Sequence, residues 1–175
     1  MLLDFLLGLD GKILLFIQEF LRFGWLTEVM RFITHLGDNG MIWIVLAAVL
    51  LCMKRYRKTG TAMAVALLLG FLVTNLILKN LVIRTRPYDA IVGLQALIGP
   101  LRDSSFPSGH TTSSIAAGFV MLKGTPRYIG IPAFVLAVLI ALSRLYLGVH
   151  YPTDVLAGAL IGLFAAFSAK YIVKT

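Results

Sequence analysis

Three short stretches of the sequence bring together residue types that could bind and transfer a phosphate group. They are Lys79-x6-Arg86-Pro87, Pro107-Ser108-Gly109-His110 and Ser143-Arg144-x5-His150-x3-Asp154. A guanidinium presents a planar fork of donors to phosphate oxygens, and an ammonium adds a point charge. A neutral imidazole can attack phosphorus or carry a proton. This combination predicts an anion site that performs phosphoryl transfer.

Lys79, Arg86 and Arg144 place three permanent cations in a chain that is otherwise strongly apolar. Uncompensated cations close to lipid are costly, so they need an anionic partner. An alternative is that they reach the membrane interface as snorkelling side chains, which would suit one such residue taken alone. Three cations together with two histidines favour a phosphate-binding site.

The second stretch stands directly before a predicted helix over Thr111–Leu122. The start of a helix presents unpaired N–H groups and a partial positive charge, which together attract anions. Gly109 permits close approach of a ligand to the backbone, and Ser108 can donate its hydroxyl. A Ser-Gly turn that only caps a helix is the alternative for this stretch alone.

In the third stretch, His150 and Asp154 are separated by Pro152, which fits the first turn of a helix. We expect Asp154 to reach back to one ring nitrogen of His150 and to leave the other nitrogen free to attack phosphorus. A helix cap beside a bystander histidine is the alternative. Asp89 and Asp103 are interpreted as solvated turn residues, so few carboxylates remain to bind a metal, and metal-independent, cofactor-free chemistry is favoured.

The elements that position these residues are predicted to be membrane helices. The 175 residues are 59% hydrophobic and 14% charged, and their mean hydropathy is +0.90, which is typical of a polytopic membrane protein. We expect a single all-α domain over residues 1–175, built as a polytopic membrane helical bundle. The five predicted spans are 41–53, 60–83, 111–122, 128–149 and 153–173.

The first 36 residues fit this pattern less well, because polar side chains interrupt the apolar ones. Gln18, Glu19 and Arg22 fall on one helical face, and Gly24 separates them from a second polar segment. Two short amphipathic helices are favoured, with Trp25 as a candidate interface anchor, and a sixth span is left open.

The net charge of +8 is concentrated in short connections between the apolar segments. Basic residues cluster at 54–58, at 123–127 and at 170–174, as expected for cytoplasmic loops. No basic face on a soluble module is evident, which argues against nucleic-acid binding. If these loops are cytoplasmic, all three motifs meet on the extracytoplasmic face. The single cysteine, Cys52, excludes an internal disulfide.

Together the motifs resemble the signature motifs of the type-2 phosphatidic acid phosphatase superfamily, the integral-membrane lipid phosphatases. The resemblance covers residues 79–154 and implies a helical bundle, usually of six spans, with a metal-independent phosphohistidine mechanism. It implies His150 as nucleophile, Asp154 as its partner, and His110 as the group that protonates the leaving oxygen and then activates water. The residues that would hold phosphate are Lys79, Arg86, Ser108, Gly109 and Arg144.

The compact length and the inferred outward-facing site resemble those of the bacterial polyprenyl-diphosphate and glycerophospholipid phosphatases of the cell membrane. By analogy with these members, the expected substrate is undecaprenyl diphosphate. Phosphatidylglycerophosphate and phosphatidate are the alternative substrates. A non-enzymatic lipid-phosphate binder or transporter is the alternative from another class. The expected partner is the membrane lipid phosphate itself, and no obligatory protein partner is inferred.

Overall fold

A computed structural model describes residues 2–174, with side chains described from residue 8 onward. Within this range the chain is helical and contains no β-strand, as predicted. The helices are α1 (Leu2–Phe16), α2 (Gly24–Leu36), α3 (Met41–Cys52), α4 (Arg57–Phe71), α5 (Lys79–Leu81), α6 (Pro87–Ala90), α7 (Gly109–Gly124), α8 (Arg127–Tyr146) and α9 (Pro152–Val173). A π-helical stretch, Leu72–Leu78, joins α4 to α5.

Helix α7 lies at the centre of the bundle and packs against α4, α8 and α9. Small residues allow these helices to approach closely. A Cβ added at Gly162 of α9 would lie 2.7 Å from the carbonyl oxygen of Thr112. A Cβ at Gly118 of α7 would lie 2.7 Å from the Cβ of Ala137 in α8. Backbone therefore packs against backbone around the helix that begins with the second motif.

Among the described residues, three helical stretches are long and apolar enough to cross a membrane: Lys54–Leu81, Arg127–Tyr146 and Pro152–Val173. Gly24–Leu36 and Asp38–Cys52 meet the same criteria as a pair, with a bend of 43° between them. Length and composition thus indicate three spans, or four if the bent pair crosses as one. The polytopic helical architecture is confirmed, and the count of five spans stays a prediction.

The N-terminal region forms two helical segments that separate just before Gly24. Their polar side chains hold a loop in place. Gln18 donates to the carbonyl of Gly93 at 2.8 Å and accepts from the N–H of Gln95 at 2.8 Å. Arg22 donates to the carbonyl of Gln95 at 2.8 Å and to that of Tyr146, at the end of α8, at 3.1 Å. The polar pattern that makes this region a poor span therefore serves tertiary contacts.

The basic connections and the motifs occupy opposite ends of the bundle. The hydroxyl of Thr59 donates to the carbonyl of Gly124 at 2.9 Å, which joins the start of α4 to the end of α7. The basic segments 54–58 and 123–127 lie at this end. From this basic end, α4 and α8 run to the end that carries the motifs, and α7 and α9 run back from it.

Candidate active site

The first motif is positioned by the π-helical stretch that precedes it. A π turn carries extra residues within a helix and redirects the side chains that follow it. Lys79 comes directly after this stretch. A Cβ at Gly109, in the first turn of α7, would lie 3.9 Å from the Nζ of Lys79 and 3.5 Å from the Oδ1 of Asn75. The ammonium group therefore lies beside the start of α7.

Arg86 is 4% exposed and uses both sides of its guanidinium. Nη1 donates to the carbonyl of Val149 at 2.8 Å and lies 3.0 Å from the Nε2 of His150. Nη2 donates to the Oδ1 of Asp103 at 2.6 Å, and Nε donates to the carbonyl oxygen of Asp103 at 3.2 Å. Arg86 therefore links the first motif to the third.

The carboxylate of Asp103 bridges Arg86 and Lys79, with its second oxygen on the ammonium group. Burial alone would raise the pKa of Asp103, but hydrogen bonds and charges from Lys79 and Arg86 lower it from 3.8 to about 2. Asp103 is exposed and lies in a bend, in agreement with its interpretation as a solvated turn residue, but its carboxylate also binds two cations of the site, which that interpretation did not include. Asp89 is exposed, as expected.

Ser108 caps α7. Its Oγ accepts from the N–H of Thr111 at 3.4 Å and from the hydroxyl of Thr111 at 3.0 Å. The residue is fully buried and does not line the cavity described below. The helix start that it stabilises does reach that cavity through Gly109 and His110. Direct contact between Ser108 and phosphate stays a prediction.

His110 is paired with a carboxylate that the sequence did not single out. Its Nε2 lies 2.9 Å from the Oδ1 of Asp38, in the turn between α2 and α3. The other oxygen of Asp38 lies 2.8 Å from the Nδ1 of His35. His35 is exposed at the end of α2, and Asp38 connects it to the motif histidine His110.

Arg144 is 2% exposed and donates from Nη1 to the hydroxyl of Thr34 in α2 at 2.7 Å. Its Nε is buried and has no hydrogen-bond partner among residues 8–174. A buried donor without an acceptor costs free energy. Because Arg144 also lines the cavity, an anion bound there would satisfy it.

His150 is 2% exposed, and its Nδ1 lies 2.8 Å from the carbonyl oxygen of Ser105. Because a carbonyl only accepts, Nδ1 carries the proton and Nε2 keeps its lone pair. Burial, and then the charges of Arg144 and Arg86, hold the pKa of His150 well below its ordinary 6.5. The imidazole is therefore neutral at physiological pH, as a nucleophile requires.

Asp154 lies close to His150, but its Oδ2 is 3.6 Å from Nδ1, which is too far for a hydrogen bond. The expected direct contact is replaced by an indirect one. Oδ2 accepts from the hydroxyl of Ser105 at 2.6 Å and from the N–H of Tyr151 at 2.9 Å. Oδ1 accepts from Arg84 at 2.5 Å. Asp154 holds Ser105, whose carbonyl oxygen in turn holds His150.

A cavity of about 770 Å³ lies where the three motifs meet. Its polar end contains six of the eight predicted site residues: Lys79, Arg86, Gly109, His110, Arg144 and His150. Its apolar flank is formed by side chains of α3 and α4, namely Ile44, Leu67, Leu68 and Phe71. Ser108 and Asp154 lie behind the cavity wall, fully buried. The arrangement joins an anion site to an apolar surface.

Residues that contact the predicted site residues without having been predicted themselves include Thr34, Asp38, Arg84, Asp103 and Ser105. Asp10 lies one contact further away, on Arg84. Asp10 gave a signal in the sequence, as an acidic residue inside an apolar N-terminal segment. Among residues 8–174, no group of three or more His, Cys, Asp or Glu side chains lies close enough together to hold a metal ion.

The sequence profile of the PAP2 superfamily matches residues 59–175. An undecaprenyl-diphosphatase of Sulfolobus acidocaldarius is 31% identical over 150 residues, which are 86% of this chain and 72% of that protein. The crystal structure of a transmembrane PAP2 type phosphatidylglycerolphosphate phosphatase from Bacillus subtilis has a TM-score of 0.76 and 31% identity. The match covers 95% of this chain and 85% of that one.

The crystal structure of Aquifex aeolicus LpxE has a TM-score of 0.81 at 27% identity, with 94% of each chain covered. These relatives match nearly the whole helical bundle, including the N-terminal helices that lie before the profile match. The relatives from Sulfolobus acidocaldarius and Bacillus subtilis are named as phosphatases of lipid phosphates, which favours an enzyme over a non-enzymatic binder or transporter. The chain therefore belongs to the PAP2 superfamily of membrane lipid phosphatases.

Proposed function

We infer that the protein is a metal-independent phosphatase that removes the terminal phosphate of undecaprenyl diphosphate through a phosphohistidine on His150. The observation that carries this proposal is the cavity, which joins three cations and two histidines to an apolar flank. An anion with a long apolar tail fits both parts at once.

In the first step, the Nε2 of His150 attacks phosphorus while the bond from phosphorus to the leaving oxygen breaks. His110 gives its proton to that oxygen. Lys79, Arg86, Arg144 and the N–H groups at the start of α7 stabilise the charge on the transferring group. Ser108 and Gly109 contribute by shaping and exposing that helix start.

In the second step, His110 takes a proton from water, whose oxygen attacks phosphorus and breaks the bond to His150. Arg86 Nη1 lies 3.0 Å from Nε2 and 3.5 Å from Nδ1 of His150, which places the guanidinium beside the imidazole face. From there Arg86 can hold an oxygen of the phosphate that Nε2 attacks.

The choice of lipid is supported by the undecaprenyl-diphosphatase named among the relatives. The apolar side chains of α3 and α4 that line the cavity offer a surface for the lipid tail. Phosphatidylglycerophosphate, named for the relative from Bacillus subtilis, is the alternative, followed by phosphatidate.

The proposed location is the bacterial cell membrane, with residues 1–175 as a single domain and the site on the extracytoplasmic face. The basic connections lie at the end of the bundle opposite the motifs, and positive loops are retained in the cytoplasm.

The test compares purified wild-type protein and His150→Ala on undecaprenyl diphosphate, phosphatidylglycerophosphate and phosphatidate at equal mole fraction in the same micelles. We expect kcat/KM to be highest for undecaprenyl diphosphate and phosphate release by His150→Ala to fall to background. Wild-type protein quenched during turnover should carry an acid-labile, alkali-stable phosphate. Activity that His150→Ala retains, or that a chelator abolishes and a divalent metal restores, would contradict the proposal.

A further inference from the structure

Asp10 is a buried carboxylate on α1, outside the residues that the family profile matches. It is 2% exposed. One oxygen accepts from the N–H of Thr153 at 3.0 Å, and the other accepts from the hydroxyl of Thr153 at 2.5 Å and from the Nη2 of Arg84 at 2.9 Å. A buried carboxylate is tolerated only when it is paired and hydrogen-bonded in this way.

Arg84 lies between two carboxylates. Its Nη2 donates to Asp10, and its Nη1 donates to the Oδ1 of Asp154 at 2.5 Å and to the hydroxyl of Thr153 at 2.8 Å. The guanidinium carbon lies 3.7 Å from the centre of the Tyr151 ring. A planar cation that is stacked and bound on two sides has a fixed orientation.

The chain of contacts continues to His150. Asp154 accepts from the hydroxyl of Ser105 at 2.6 Å, and the carbonyl of Ser105 accepts from His150 Nδ1–H at 2.8 Å. Each residue in this series of hydrogen bonds holds the next residue in place. The orientation of the His150 imidazole therefore depends on a series of hydrogen bonds that begins at Asp10 in α1.

We propose that Asp10 and Arg84 are positioning residues for His150, and that α1 thereby completes the catalytic site. The proposal rests on the proposed role of His150 as nucleophile. Neither residue lines the cavity, so neither touches the phosphate. They act by holding Asp154, and through it Ser105 and His150, in the geometry that attack requires.

Asp10→Asn preserves the side-chain volume but removes the charge that holds Arg84 from one side. We expect kcat to fall roughly ten- to hundredfold, because small errors in the position of a nucleophile slow transfer steeply. KM should change less than about threefold, since the cations that bind phosphate are untouched. Arg84→Lys keeps a positive charge but cannot bridge both carboxylates, and should lower kcat similarly.

Two inhibitors separate positioning from simple loss of folded protein. Vanadate bonds to the nucleophile and mimics the transition state, so its Ki should rise by the same factor by which kcat falls. Inorganic phosphate contacts the cations without bonding to His150, so its Ki should stay within about twofold of wild type. Glu28→Gln is the matched control, because it removes a carboxylate from an exposed ion pair with Arg31 on α2.

Lower kcat with an unchanged vanadate Ki would indicate only a smaller folded fraction and would overturn the proposal. Wild-type kcat and vanadate Ki in both Asp10→Asn and Arg84→Lys would overturn it as well. If Asp10→Asn cannot be purified as a folded protein, Arg84→Lys decides. A wild-type protein that forms no phosphohistidine and resists vanadate would instead refute the proposed function itself.

Discussion

The carboxylate of Asp103 contacts the same two cations that are proposed to hold phosphate. Its carboxylate lies on Lys79 and on Arg86. A phosphate group that binds these cations has to displace it. Asp103→Asn keeps the size of the side chain and removes its charge, so we expect this substitution to tighten the binding of phosphate.

The lowered pKa of Asp103 gives the magnitude of the effect. A change from 3.8 to about 2 corresponds to roughly 2.4 kcal/mol of favourable interaction with the charged form. Because the side chain is 50% exposed, solvent screening reduces this to about 1 kcal/mol. Removing the charge should therefore lower the Ki of inorganic phosphate about fivefold.

The assay is competitive inhibition of p-nitrophenyl phosphate hydrolysis by inorganic phosphate, at constant pH and ionic strength. Asp89→Asn removes an exposed carboxylate from the same loop region and should leave the Ki unchanged. A higher Ki in Asp103→Asn would refute the reasoning, because it would mean that Asp103 organises the two cations for phosphate rather than competing with it.

Three further outcomes are expected. Asp38→Asn should slow hydrolysis of phosphatidate, whose leaving group is an alkoxide, about tenfold and that of p-nitrophenyl phosphate much less, since only the poor leaving group needs the proton that His110 is proposed to give; equal losses would contradict this. After correction for substrate ionisation, kcat/KM should not fall as pH decreases through about 6.5, because the lowered pKa keeps His150 neutral; a half-maximal loss at that pH would argue otherwise. Gly162→Ala should lower the free energy of unfolding by about 1–3 kcal/mol, as measured by thermal unfolding. Leu160→Ala, at an exposed position on the same helix, should leave the free energy of unfolding unchanged.

The sequence predicted the elements of the site well because local physics determines them. Pro152 and Asp154 start α9, Ser108 caps α7, and charged residues in an apolar chain indicate function. The basic loops alternate with the motifs along the chain, and this charge pattern predicts that the motifs meet at one end of the bundle. For these reasons the helical bundle and the meeting of the motifs at one cavity were accessible without a structure.

The contacts from the N-terminal region were not accessible, because they join residues far apart in the chain. Thr34 contacts Arg144 across 110 positions, and Asp38 contacts His110 across 72. Threonine and aspartate near turns are common for local reasons, so their types carry no signal of a distant partner.

The direct contact between Asp154 and His150 was expected from their spacing, and the structure shows why it does not form. Asp154 accepts from the N–H of Tyr151 at the start of its own helix and from Arg84. The local cap and the long-range cation together orient the carboxylate away from Nδ1. The spacing of His150 and Asp154 in the sequence could not reveal the contact between Asp154 and Arg84.

The close packing of α7 gives the cavity two walls with different mechanical properties. At the phosphate end, backbone touches backbone, as at Gly162, and such contacts cannot yield without moving whole helices. Along the flank, the wall consists of partly exposed side chains such as Ile44, Leu68 and Phe71, which exchange rotamers in picoseconds to nanoseconds. A stiff end beside the cations and a compliant flank allow one scaffold to hold the proposed phosphate in a fixed position while the flank adjusts to an apolar tail.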